Sequence, residues 1–102
     1  MMKYLIIMPD YTTSCLRDAF EGPIKVEELK LPREFIRELS YWHDLYRKII
    51  PLDDEARAMR IEEIERLDNK GLELAKKLKD LVPGGAKVKY YSEGKSQFLP
   101  ID

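Results

Sequence analysis

The sequence predicts an α+β domain, an antiparallel two-helix hairpin packed on a small two- or three-stranded sheet in the order β-loop-α-α-β. Three features of the sequence point there: an apolar run at the N-terminal end, two successive apolar stripes at helical spacing, and a later segment in which apolar and polar residues alternate. Its 102 residues suit a single domain spanning 1–102. Apolar residues make up 44% and charged residues 36%, enough apolar material for a core and too much for a disordered tail.

Tyr4 to Met8 is apolar on both faces of an extended chain, the pattern of a strand covered on both sides. Pro9 and Asp10 stop it. The run is too short for a signal-peptide core or a membrane span, so no membrane association is expected. A lone Cys15 with no partner in the chain makes a reducing cytoplasm the expected compartment. Pro9 to Pro23, with Thr12, Thr13, Ser14 and Gly22, reads as a long loop with one turn around Leu16 to Phe20. Ile24 and Val26 then alternate with Lys25 and Glu27 as a short strand.

From Leu31 the period changes. Phe35, Leu39, Trp42, Tyr46 and Ile49 recur at spacings of three and four, an amphipathic helix bounded by Pro32 and Pro51. Asp53 is placed to cap a second helix, whose stripe runs Ile64, Leu67, Gly71, Leu74, Leu78 and Leu81 before Pro83-Gly84-Gly85 ends it. So short a connection folds the helices back on each other. A glycine inside a helix costs about 1 kcal/mol relative to alanine, so a packing reason is expected at Gly71, and the bulk of Trp42 on the facing stripe is the expected one. Val88 and Tyr90, alternating with Lys87, Lys89 and Tyr91, form a strand expected to pair with Tyr4 to Met8, in a direction the sequence leaves open. The apolar tail, with Phe98, Leu99 and Ile101, is expected to dock on the body. One candidate berth is the uncovered face of the first strand; the alternative is that a second chain covers that face.

The balance of charge bounds function. Eighteen Lys plus Arg against 19 Asp plus Glu give a net charge of -1, without the basic excess of a nucleic-acid binder. One Cys and one His exclude a disulfide framework and any metal site built mainly from those residues, and no cofactor motif is present. A catalytic Cys15 needs an activating base, and His43, within the first helix, is not paired with it by any local pattern. Cys15 reads better as an ordinary cysteine and His43 as a residue that borders the core or hydrogen-bonds at its edge, and no catalytic residue is assigned. Lys87, Lys89, Tyr90, Tyr91 and Lys95 interleave basic and aromatic residues, yet they lack an RNA-recognition signature; a strand with one wet side explains them, and no direct nucleic-acid contact is expected.

Ile7-Met8-Pro9-Asp10-Tyr11 with Thr13-Ser14, the helix opening after Leu29 to Leu31 and carrying Trp42 and Tyr46, and Gly71-Leu72-Glu73-Leu74-Ala75 together resemble a family of small bacterial proteins. That family is associated with immunity proteins of toxin systems such as contact-dependent growth inhibition. The chain departs from its pattern at Pro32, where the family carries a Ser cap, and at Leu16 to Glu21. The resemblance implies a non-enzymatic cytoplasmic protein that binds and neutralises the C-terminal domain of a cognate toxin. It brings no catalytic residue, metal or cofactor. The rival reading is a homo-oligomeric structural or regulatory domain, a homodimer included, motivated by the two-sided apolar strand and the apolar tail.

If the toxin is a basic nuclease, acids are its natural electrostatic partners. Asp53, Asp54, Glu55, Glu62 and Glu63 are therefore the first candidates for partner binding, and Asp10 and Tyr11 in the hydroxyl-rich loop the second. Charge is unevenly spread behind the neutral total. Seven acids and three bases lie between Asp53 and Asp68, and seven bases and three acids between Lys70 and Lys95. Much of that separation suits the dipole of one long helix.

Overall fold

In the computed structural model, which describes residues 3–10 and 14–101, three strands are followed by three helices and then by two further strands. They are β1 (Lys3–Ile7), β2 (Leu16–Asp18), β3 (Gly22–Pro23), α1 (Arg33–Tyr46), α2 (Asp54–Met59), α3 (Ile61–Leu81), β4 (Ala86–Ser92) and β5 (Gln97–Leu99). The strands form one mixed sheet in the order β3-β2-β1-β4-β5. The α+β class stands, while the sheet is larger than the two or three strands expected.

The additional strands are short, and tight turns join β3 to β2 and β5 to β4. Asp18 accepts hydrogen bonds from the backbone N–H of Phe20 at 2.8 Å and Glu21 at 3.1 Å, and Gly22 takes a φ of +90°. That chemistry turns the expected loop into the β2–β3 hairpin. Ile24 donates its N–H to the Leu16 carbonyl, and Val26 opens a single 3₁₀ turn, Val26–Leu29, so the short strand expected at Ile24 and Val26 lies earlier, at Gly22–Pro23. After β4, a turn with Ser96 at a φ of 54° returns the tail as β5, antiparallel to β4. The tail thus extends the sheet at its edge rather than covering β1.

β1 and β4 pair in parallel, Lys3 to Ile7 opposite Ala86 to Tyr90. Parallel pairing requires a crossover, and α1 to α3 supply it. Leu5, Ile7, Val88 and Tyr90 point under the helices and are buried. Tyr4 on the other face is exposed and Ile6 half-buried, which corrects the expectation of a strand covered on both sides.

Pro32, with ψ at 141°, turns the chain into α1, and Asp53 caps α2 by accepting the N–H of Ala56 at 2.8 Å. The second helix is not continuous. At Arg60 the backbone leaves helical geometry, with φ -114° and ψ 23°, and α2 meets α3 at an elbow. α1 and α3 run in opposite senses: Glu38 reaches Lys70 and Lys77, while further along α1 the Trp42 indole donates to the Leu67 carbonyl at 2.8 Å. Gly71 faces Tyr90, not Trp42. A Cβ built there falls within the Tyr90 ring, 2.5 Å from its Cζ.

Candidate functional site

Asp53, Asp54 and Glu55 are exposed at the start of α2, and Glu62 is exposed in the first turn of α3. Asp54, Glu55 and Glu62 form no ion pair with a described residue. Glu63 is half-buried, 3.8 Å from Arg60, and Asp53 uses one oxygen in the cap. The elbow at Arg60 keeps these acids off a single helix face and exposes two apolar side chains among them, Met59 at 84% and Ile61 at 44%. An apolar centre with a charged rim is the usual anatomy of a protein interface. Sequence periodicity missed both residues. Ile61 lies three positions before Ile64 in the same helix, so spacing alone would set it on the buried stripe, yet at the start of α3 it stands exposed.

Beside the elbow, α1 and α3 leave an open groove of about 370 Å³, lined by Tyr41, Trp42, Leu45, Glu63, Arg66 and Leu67. Tyr41 stands exposed on its rim. Further along, Glu38 bridges α1 and α3, and its hydrogen bonds to Lys70 first, then Lys77, hold its carboxyl below the ordinary range.

The second candidate patch is already engaged. The Asp10 carboxylate pairs with Arg17 at 2.8 Å, and Nε2 of His43 lies 2.8 Å from the Asp10 carbonyl and 3.2 Å from the Asp10 N–H, donating to the one or accepting from the other according to its tautomer. Tyr11 lies outside the described residues. His43 is buried, and desolvation lowers its pKa below the ordinary value of 6.5 despite the hydrogen bond. Cys15 is buried too, and burial pushes its thiol up to about 12, the reverse of what a nucleophile needs. Among the described residues no group of three or more His, Cys, Asp or Glu could hold a metal ion. None of their helices is long and apolar enough to cross a membrane.

Asp68, which sequence reasoning passed over as one more helix acid, is the buried polar centre of the fold. One oxygen accepts from the hydroxyls of Tyr46 at 2.8 Å and Tyr90 at 2.7 Å, the other from Ser92 at 2.7 Å. The outer hydroxyls are satisfied in turn: Tyr46 accepts the N–H of Gly94 and Ser92 that of Lys95. Burial raises the phenol pKa of Tyr46 and, with the charge of Asp68, that of Tyr90. Nearby, Arg57 of α2 donates to the carbonyls of Ile50 and Glu93 at 2.8 and 2.7 Å. The β4–β5 turn is therefore fastened to all three helices, and the elbow is held at a fixed place on the body.

No curated protein matches the chain. A family model described as Serratia CdiI immunity protein-like matches residues 3–93, a span that runs from β1 through the helices and β4 and stops before β5. The resemblance carried by the loop after the first strand, the Trp42 helix and the Gly71 segment thus holds over most of the chain, which belongs to the Serratia CdiI immunity protein-like family.

Proposed function

We propose that this chain binds and neutralises a cognate toxin domain in the cytoplasm by direct protein contact, and that the α2–α3 elbow is the surface that meets it. Family membership supports the first part. The second is carried by one observation: Met59 and Ile61 stand exposed among Asp54, Glu55 and Glu62, acids without an ion-pair partner among the described residues. A basic toxin domain, such as a nuclease, would be steered by the acids and anchored by the apolar pair. Asp53 and Glu63 extend the rim, while Asp10, paired with Arg17, and Tyr11 remain a secondary patch.

The test is protection of cells expressing the C-terminal toxin domain encoded by the neighbouring reading frame, with association kinetics of the purified pair. Reversing charge with Asp54→Lys, Glu55→Lys and Glu62→Lys is expected to slow association at least tenfold at low salt and weaken protection. Met59→Ala should act mainly on dissociation. Unchanged kinetics in both variants would reject the elbow as the contact surface, and absence of any complex would reject the function itself.

A further inference from the structure

The helices cover one face of the sheet, and the other face carries chemistry that toxin binding at the elbow leaves unused. Parallel register sets Tyr4 beside Lys87 and Ile6 beside Lys89, and the β4–β5 pairing sets Phe98 beside Tyr91. Two edge-to-face aromatic pairs, Tyr4–Phe20 at 5.7 Å and Tyr91–Phe98 at 5.1 Å between centroids, stand on either side of the lysines. Between them lies an open trough of about 590 Å³. Phe20 is 81% exposed and Phe98 54%. Lys87 and Lys89 form no ion pair with a described residue.

An exposed apolar patch crossed by uncompensated positive charge fits an apolar knob that carries carboxylates. Single-stranded nucleic acid fits less well. The ammonium groups of Lys87 and Lys89 sit 5.9 and 5.8 Å from the centroids of Tyr4 and Phe98, over the ring faces on which bases would stack, and Arg17 is neutralised by Asp10. The complementary surface exists on this same chain: the elbow, with Met59 exposed among Asp54, Glu55 and Glu62. Methionine packs well against aromatic rings. The trough faces away from the helical layer, so one molecule cannot close the contact on itself. At a net charge of -1 there is little general repulsion between copies to oppose it.

We propose that the open sheet face receives the α2–α3 elbow of a second copy, giving a reversible, salt-sensitive, head-to-tail self-association. Such a contact is heterologous, so it builds short chains or rings rather than a closed two-fold dimer. Where the elbow also binds toxin, as proposed above, toxin and a second copy compete for it.

The experiment is sedimentation of the purified protein over a range of concentrations, without any toxin, so that its failure leaves the toxin reading untouched. The wild-type average mass should rise with concentration and fall to the monomer in high salt. Lys87→Glu with Lys89→Glu, and separately Asp54→Lys with Glu55→Lys, should each weaken association at least tenfold while circular dichroism stays native. An equimolar mixture of the two variants should recover it, because each then offers the other an opposite charge. A wild-type monomer at every concentration, association that survives either reversal, or no recovery in the mixture would overturn the proposal. So would a monomer that retains labelled single-stranded RNA homopolymer through Lys87 and Lys89, which would give the face to nucleic acid.

Discussion

The hydroxyl of Tyr90 donates to Oδ1 of Asp68 across 2.7 Å, joining a central strand of the sheet to the middle of α3. The same ring lies where a side chain on Gly71 would have to go. One residue thus fixes both the polar and the steric fit between sheet and helix.

Removing the hydroxyl with Tyr90→Phe leaves Asp68 with two donors and should cost about 1 to 2 kcal/mol in urea unfolding. Asp68→Ala leaves three buried hydroxyls without their acceptor and opens a void, so a loss of about 3 kcal/mol is expected. Equal losses for the two variants would mean that the network does not act through Asp68.

Gly71→Ala should destabilise by about 2 to 3 kcal/mol, even though alanine gains about 1 kcal/mol in helix propensity. The cost is the collision with Tyr90, whose ring cannot swing aside without abandoning Asp68. In a Tyr90→Ala background the sign should reverse. A double-mutant cycle on thermal unfolding measures this coupling, and additivity of the two changes would contradict the contact.

Acid should weaken the fold through His43 before it reaches the carboxylates. Its pKa is lowered in the folded state, so the unfolded chain takes up the proton first, and stability falls as pH drops below 6.5 until the folded histidine is protonated as well. Glu38, also lowered, adds its loss only below its ordinary 4.5. Denaturant midpoints across this range should flatten in His43→Gln, which keeps a donor for the Asp10 carbonyl. In alkali the sign is opposite. Tyr46 and Tyr90 are raised in the fold, so the unfolded chain ionises first and stability declines as pH rises past 10.0. Tyrosinate absorbance from these two should emerge only with unfolding.

Cys15 should resist alkylation at mildly alkaline pH in the native protein and react readily once unfolded, because burial holds its thiol near 12. Modification by iodoacetamide, read by mass, should therefore follow the unfolding curve. Reaction at the rate of a free thiol in the native state would place Cys15 outside the core.

The stripe from Phe35 to Ile49 and the alternation around Val88 were legible because each repeats over several turns or strand residues. Strands β2 and β3, with three and two residues, are too short to show a period, and the turn chemistry of Asp18 and Gly22 was the readable signal. The need for space at Gly71 was legible; its neighbour was not, since a stripe shows that a face is buried without saying against what. The same limit hid Asp68, whose donors come from α1 and β4. The elbow had no glycine or proline to announce it. The acids there were visible in sequence, and Met59 and Ile61 acquire meaning only once the helix breaks.

The parallel pairing of β1 with β4 also sets a timetable. Residues 3–7 are made before the helices, yet the strand that seats them, residues 86–90, follows only after all three helices have been made. Until then Leu5 and Ile7 have no parallel neighbour, and Asp68 lacks two of its three donors. Closing so long a loop is slow relative to pairing neighbours along the chain. The nascent protein must therefore carry an unfinished sheet until residues 86–90 have been made, and the elbow proposed to meet a toxin gains its anchor at Glu93 only after β4 has slotted in.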